Sequence, residues 1–144
     1  MTDRCISDGV TFLTEEERDV LKTKFAEEYF DIQAKGYRIV VRPYVRPEKT
    51  TGGIILADTS RDEDQFHSLI SQVISVGPLA YTDEKFCGGK AWCDVGDWVV
   101  IPRVTGTRIP SRNGETLRII NEDDVCAIVK DPVEWQVRIT ATKY

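Results

Sequence analysis

Histidine is almost missing from this chain of 144 residues: His67 is the only one, set beside Phe66 and Ser68 in an acidic segment. No nucleophile elbow accompanies it, and no Cys–His arrangement with an orienting partner, so catalytic activity is not expected. The four cysteines, Cys5, Cys87, Cys93 and Cys126, match no common zinc spacing, and neither a metal site nor a disulfide framework is expected. No aliphatic run approaches the length that crosses a bilayer, and Met1–Cys5 has neither the basic nor the apolar region of a secretory leader. These absences predict a soluble, cytoplasmic protein with no membrane partner. Basic clusters are absent too. The 19 Lys and Arg are scattered among 24 Asp and Glu, for a formal net charge of -5, which speaks against nucleic acid as a partner. The spacing of Asp58, Ser60, Asp62 and Asp64 starts like a calcium loop, yet Glu63 stands where glycine is needed and Leu69 where a bidentate Glu belongs. Gly88-Gly89-Lys90 lacks the rest of a phosphate-binding loop. No cofactor is expected.

What the chain does contain is enough apolar residue for one domain with its own core. Thr14 followed by Glu15-Glu16-Glu17 makes a capping box, with Glu17 at the third helical position and acidic charge at the positive end of the helix dipole. The helix it opens carries Leu21, Phe25, Tyr29 and Ile32 near helical spacing, with Val20, Ala26 and Phe30 widening the stripe, and Gly36 suits its stop. Such a helix packs on its own domain or on a neighbouring subunit. From Gly36 the pattern changes to short β-rich runs bounded by turn formers: Tyr37–Val41, Gln72–Val76, Trp98–Ile101, Leu117–Ile120 and Val125–Val129. Five such strands predict a small all-β barrel. In the tail, Val133, Trp135, Val137 and Ile139 alternate with Glu134, Gln136, Arg138 and Thr140. That period of two predicts a terminal strand that adds to a sheet edge.

One segment stands out between the first two strands. Thr50-Thr51-Gly52-Gly53-Ile54-Ile55-Leu56 is an apolar tripeptide held between turn formers and the acidic run Asp58–Asp64. It reads either as a buried strand entered through a Gly-Gly turn, or as a docking loop whose Ile54, Ile55 and Leu56 wait for a partner's groove.

Taken in order, these features resemble the GroES-like co-chaperonins over roughly residues 36–129. The first strand is followed by a loop similar to the family's Gly-Gly plus hydrophobic tripeptide; Val73-Ile74-Ser75-Val76-Gly77 is similar to the strand before the roof hairpin. Val95-Gly96-Asp97-Trp98 resembles the family's Val-Gly-Asp turn and strand, and Asn121–Val129 its closing acidic turn and last strand. The resemblance implies a non-enzymatic homo-oligomer, heptameric in the family, that caps an ATP-driven chaperonin ring. Gly52, Gly53, Ile54, Ile55 and Leu56 would contact the ring. Subunits would join through Ile39, Val40 and Val41 of one chain against Val125, Ala127, Ile128 and Val129 of the next. This reading divides the chain into an extension with a helix (1–35), a barrel (36–130) carrying a docking loop (44–71) and a roof segment (77–95), and a strand tail (131–144).

The two extensions depart from the family pattern. Their apolar faces, Leu21, Phe25 and Tyr29 in the helix and Trp135, Val137 and Ile139 in the tail, suit contacts with other molecules. They raise an alternative: a phage virion protein, a capsid decoration or assembly component, that uses a GroES-like barrel and two adhesive arms to grip capsid neighbours. In the roof, Tyr81, Phe86 and Trp92 read as local packing.

Overall fold

Thr14 caps the first helix as expected. In a computed structural model, which describes residues 12–44, 69–82, 91–103, 105–112 and 114–142, its hydroxyl accepts from the Glu17 amide at 3.1 Å. The helix, α1, runs Glu15–Glu28. It stops short of Gly36, because Tyr29 leaves the helical path to donate its hydroxyl to Glu115 Oε2 at 2.8 Å. Gly36, at φ +57°, instead turns the chain into the first strand.

Among the described residues six strands follow: β1 (Arg38–Pro43), β2 (Ile70–Val76), β3 (Trp98–Val100), β4 (Thr107–Pro110), β5 (Thr116–Asn121) and β6 (Ala127–Val129). They form one antiparallel sheet in the order β4-β5-β1-β2-β3-β6. This is the expected all-β domain, with β4 as an additional strand. Its four residues include Arg108 and end in Pro110, so no apolar run announces it.

Both faces of the sheet are buried. Toward the barrel interior, Ile39 and Val41 pack with Val73, Val99, Ile101, Ile120 and Val125. The alternate residues Val40, Ile74 and Leu117 face the other way, and α1 covers them with Phe25 and Tyr29, joined by Ala34. Where the register of β1 and β2 shifts, Val40 faces Ser75 but Val41 faces Val73. This bulge leaves Ile74 as the extra residue. Ile74 then joins the helix-side cluster, while Ser75 Oγ accepts from the Ala34 amide at 3.0 Å.

The Val95-Gly96-Asp97 turn locks the helix to the sheet. Gly96 has φ +99°, and a Cβ there would meet Leu21 Cδ1 at 2.9 Å and Leu13 Cδ1 at 3.1 Å. Glycine is therefore required for its backbone angle, and the leucine side-chain ends pack directly against it. Asp97, almost fully buried, accepts from the Asp94 amide at 2.8 Å and from Arg18 Nη2 at 3.0 Å.

Three expectations are corrected. The tail is not a strand: Pro132–Thr142 forms a second helix, α2. Asp131 Oδ1 accepts from the Val133 and Glu134 amides at 2.9 and 3.4 Å, Pro132 suits the first helical position, and Arg138 pairs with Glu134 one turn back at 2.6 Å. These local helix signals outweigh the period-two alternation. Second, of the two expectations for the helix face, packing on its own domain holds and the contact with other molecules does not: Leu21, Phe25 and Tyr29 pack on the barrel of their own chain. Third, β1 is no edge strand: Ile39, Val40 and Val41 are paired with β2 on one side and β5 on the other.

The interior holds two polar arrangements. Arg118, fully buried, donates through Nη2 to the carbonyls of Pro102 and Thr105 at 2.7 and 2.6 Å. Burial, with Arg108 beside it, lowers its pKa to about 10, so it stays charged at neutral pH and ties β5 to the loop after β3. Tyr81, buried and at φ +63°, donates its hydroxyl to the Glu122 carbonyl at 2.7 Å, and its amide donates to Glu122 Oε2 at 2.7 Å. Its ring lies 5.7 Å from that of Trp92. Cys93, 3.5 Å from the Tyr81 hydroxyl, completes this base of the roof. Burial pushes its thiol up to about 12 from an ordinary 9.0.

Two outcomes follow from this packing. Phe25→Ala should lower unfolding free energy by about 3 kcal/mol in urea titration, and an unchanged midpoint would show that α1 does not cover the sheet. Because the folded Cys93 thiol holds its proton where the unfolded one loses it, its contribution is complete below about pH 9 and lost as pH rises toward 12. The decline should approach ~1.4 kcal/mol per pH unit, and Cys93→Ala should flatten its onset in urea midpoints measured from pH 8 to 11.

Candidate functional site

β1 and β2 lie side by side near the middle of the sheet, and residues 45–68 connect them. Their closing rungs are the Pro43–Ser71 pair and the Tyr44 amide on the Ile70 carbonyl at 2.8 Å. Leu69 is held from the far side, its carbonyl accepting from the Ile101 amide at 2.9 Å. The Tyr44 ring meets Trp98 edge to face, centroids 5.8 Å apart at 79°. Gly52, Gly53, Ile54, Ile55 and Leu56 lie outside the described residues, as do His67 and Asp58–Asp64. What the fold defines is the pair of anchors from which that segment departs and to which it returns.

A cluster of polar side chains stands at these anchors on the helix-covered face. Arg42 of β1 is directly opposite Gln72 of β2, and its Nε and Nη2 donate to Gln72 Oε1 at 3.1 and 2.9 Å. Gln72 passes the contact on, donating Nε2 to the Gly96 carbonyl at 3.2 Å. Arg42 Nη1 donates to the Tyr29 hydroxyl at 3.3 Å and lies 3.8 Å from Glu115 and 4.0 Å from Glu28. The guanidinium also sits over the Phe25 ring, 5.2 Å from its centroid. Burial is the main cause that pushes the Tyr29 phenol up to about 12, which keeps it a neutral hydrogen-bonding group. Sequence reasoning missed this cluster. The alternation of β1 places Arg42 outward with Val40, but nothing local shows that α1 returns to meet it.

Among the described residues the sheet has two edges, β4 and β6. β6 pairs with β3 on one side only, and along it Ala127 is exposed, Ile128 half-buried and Val129 buried; Val125, just before it, is buried. Of the expected subunit contact, then, the half on Ile39, Val40 and Val41 is interior and the half on β6 is an edge. Immediately beyond β6, α2 exposes Val133, Trp135 and Val137; the Ile139 side chain lies outside the description. In the roof, Tyr81 is core, Trp92 is 39% exposed against it, and Phe86 lies outside the described residues. Among the described residues no group of His, Cys, Asp and Glu suits a metal ion, and no helix is long and apolar enough to cross a membrane.

Comparison with known proteins agrees with this architecture. Residues 31–129 match the family described as Chaperonin 10 Kd subunit. Co-chaperonin GroES of Caldicellulosiruptor saccharolyticus is 38% identical over 102 residues, covering 69% of this chain and 98% of that protein. Co-chaperonin GroES of Clostridium beijerinckii is 32% identical over 100 residues, with 69% and 99% covered. Co-chaperonin GroES 2 of Mesorhizobium japonicum is 39% identical over 95 residues, with 65% and 84% covered. All of α1 and all of α2 fall outside the family match, which contains every strand of the sheet. With the match spanning more than half its length, this chain belongs to the Chaperonin 10 Kd subunit family, the GroES-like co-chaperonins.

Proposed function

We propose that this chain works as a non-enzymatic co-chaperonin, a ring of identical subunits that caps an ATP-driven chaperonin in the cytoplasm. Gly52, Gly53, Ile54, Ile55 and Leu56 would supply each subunit's contact with an apolar groove on the chaperonin. One observation carries the reading: the segment holding this tripeptide is anchored at both ends on adjacent strands near the centre of a sheet buried on both faces. A partner pulling on the segment therefore pulls on the whole domain. Single short contacts of this kind are weak, because ordering costs offset much of the gain. Several of them on one ring act together through high effective concentration, and remain releasable one by one.

The open edge of β6 supports assembly of identical subunits, since an unpaired edge invites a further strand. A ring of seven is the family's pattern and belongs to this proposal. The virion reading required two free adhesive arms. The Leu21, Phe25 and Tyr29 face of α1 is already spent on its own barrel, which leaves α2, with Val133, Trp135 and Val137 exposed, as one such arm rather than two.

The test is Ile55→Asp in the full-length chain. Thermal stability should stay within about 0.5 kcal/mol of the parent, as for an exposed position, while co-sedimentation with a purified chaperonin ring and ATP should be lost. An unfolded variant would place Ile55 in the core and overturn the docking role.

A further inference from the structure

We infer that Arg42 is a positioning residue for the docking segment: its guanidinium clasps β1, β2 and the end of α1 where residues 45–68 leave and rejoin the sheet. The inference rests on the docking role proposed above and concerns how that segment is aimed. The stem needs such a clasp. Pro43 brings no N–H to the ladder, and beyond the Pro43–Ser71 pair the Tyr44–Ile70 hydrogen bond closes it. Fraying at these rungs would loosen Pro43, Tyr44 and Ile70, the positions from which the segment leaves the sheet and to which it returns.

Arg42 opposes that fraying with a planar fork. Nε and Nη2 converge on one oxygen of Gln72, the residue across the ladder, and Gln72 in turn holds the Gly96 carbonyl in the turn before β3. The remaining arm reaches the Tyr29 hydroxyl, with Glu28 and Glu115 balancing the charge. A lysine supplies one compact ammonium and cannot span Gln72 and Tyr29 together in this geometry. Tyr29 and Glu28 lie before residue 31, where the family match begins. The end of α1 thus braces, through Arg42, the strand ends that carry the docking segment.

Arg42→Lys and Arg42→Met in the full-length chain test this, with Ile55→Asp alongside and a purified bacterial chaperonin ring plus ATP as the probe. Both Arg42 variants should bind the ring about tenfold more weakly. At the same time the Tyr44 amide should exchange faster with solvent, while the β5 amides and the melting temperature of Arg42→Lys stay at parental values. A role in general stability alone would accelerate β5 exchange and lower the melting temperature in step with binding, and would overturn the inference. Parental binding by Arg42→Lys and Arg42→Met, with Ile55→Asp inactive, would also overturn it while leaving the docking role intact. Parental binding by Ile55→Asp, or no binding by the parent chain, would overturn both.

Discussion

The carboxylate of Asp97 is only 1% exposed, and a charge so placed holds the fold together only because its partners are complete. One oxygen closes the Val95-Gly96-Asp97 turn on the Asp94 amide; the other takes Arg18 from α1. The Arg18 guanidinium also donates to the Val95 carbonyl at 2.9 Å. Removing either partner would strand a charge in a site with little water, which costs more than the pair itself contributes. This ion pair sets the position at which α1 lies on the sheet. From that position follow the approach of Leu21 to Gly96, the burial of Phe25 and Tyr29, and the contact of Tyr29 with Arg42.

Much of the sheet was legible because its strands are apolar and bounded by turn formers, and the Thr14 capping box marked α1 by a purely local hydrogen bond. The failures have different causes. β4 is too short and polar to show, and it exists because β5 offers it an edge. The tail alternates like a strand, yet Asp131 and Pro132 start a helix, and that local signal was overlooked in favour of the alternation. β1 looked like a candidate edge because hydrophobic runs do not reveal neighbours; it is paired on both sides only through contacts distant in sequence. The tripeptide Ile54-Ile55-Leu56 stands out by composition, whereas the Arg42 cluster joins separate stretches of chain and has no local signature.

The doubly covered sheet also explains why β1 reads as a continuous apolar run instead of alternating. Val40 would face water in a sheet with one bare side, and here it meets Phe25 and Tyr29 across the helix interface. A strand buried on both faces loses the alternation that normally fixes its register. The bulge at Ile74 and the Arg42–Gln72 contact supply that register by other means.

The boundary of shared ancestry and the boundary of cooperative folding fall in different places in this chain. The inherited region starts at residue 31, after the helix that closes the outer apolar cluster. A fragment cut at that point keeps every strand but presents Val40, Ile74 and Leu117 to solvent, a patch suited to self-association. Grafting this barrel into another co-chaperonin would therefore carry over a sheet without its lid, and exchanging the extension alone would transfer a lid fitted to a different sheet. The two parts form one module for engineering, although the family recognises them as separate.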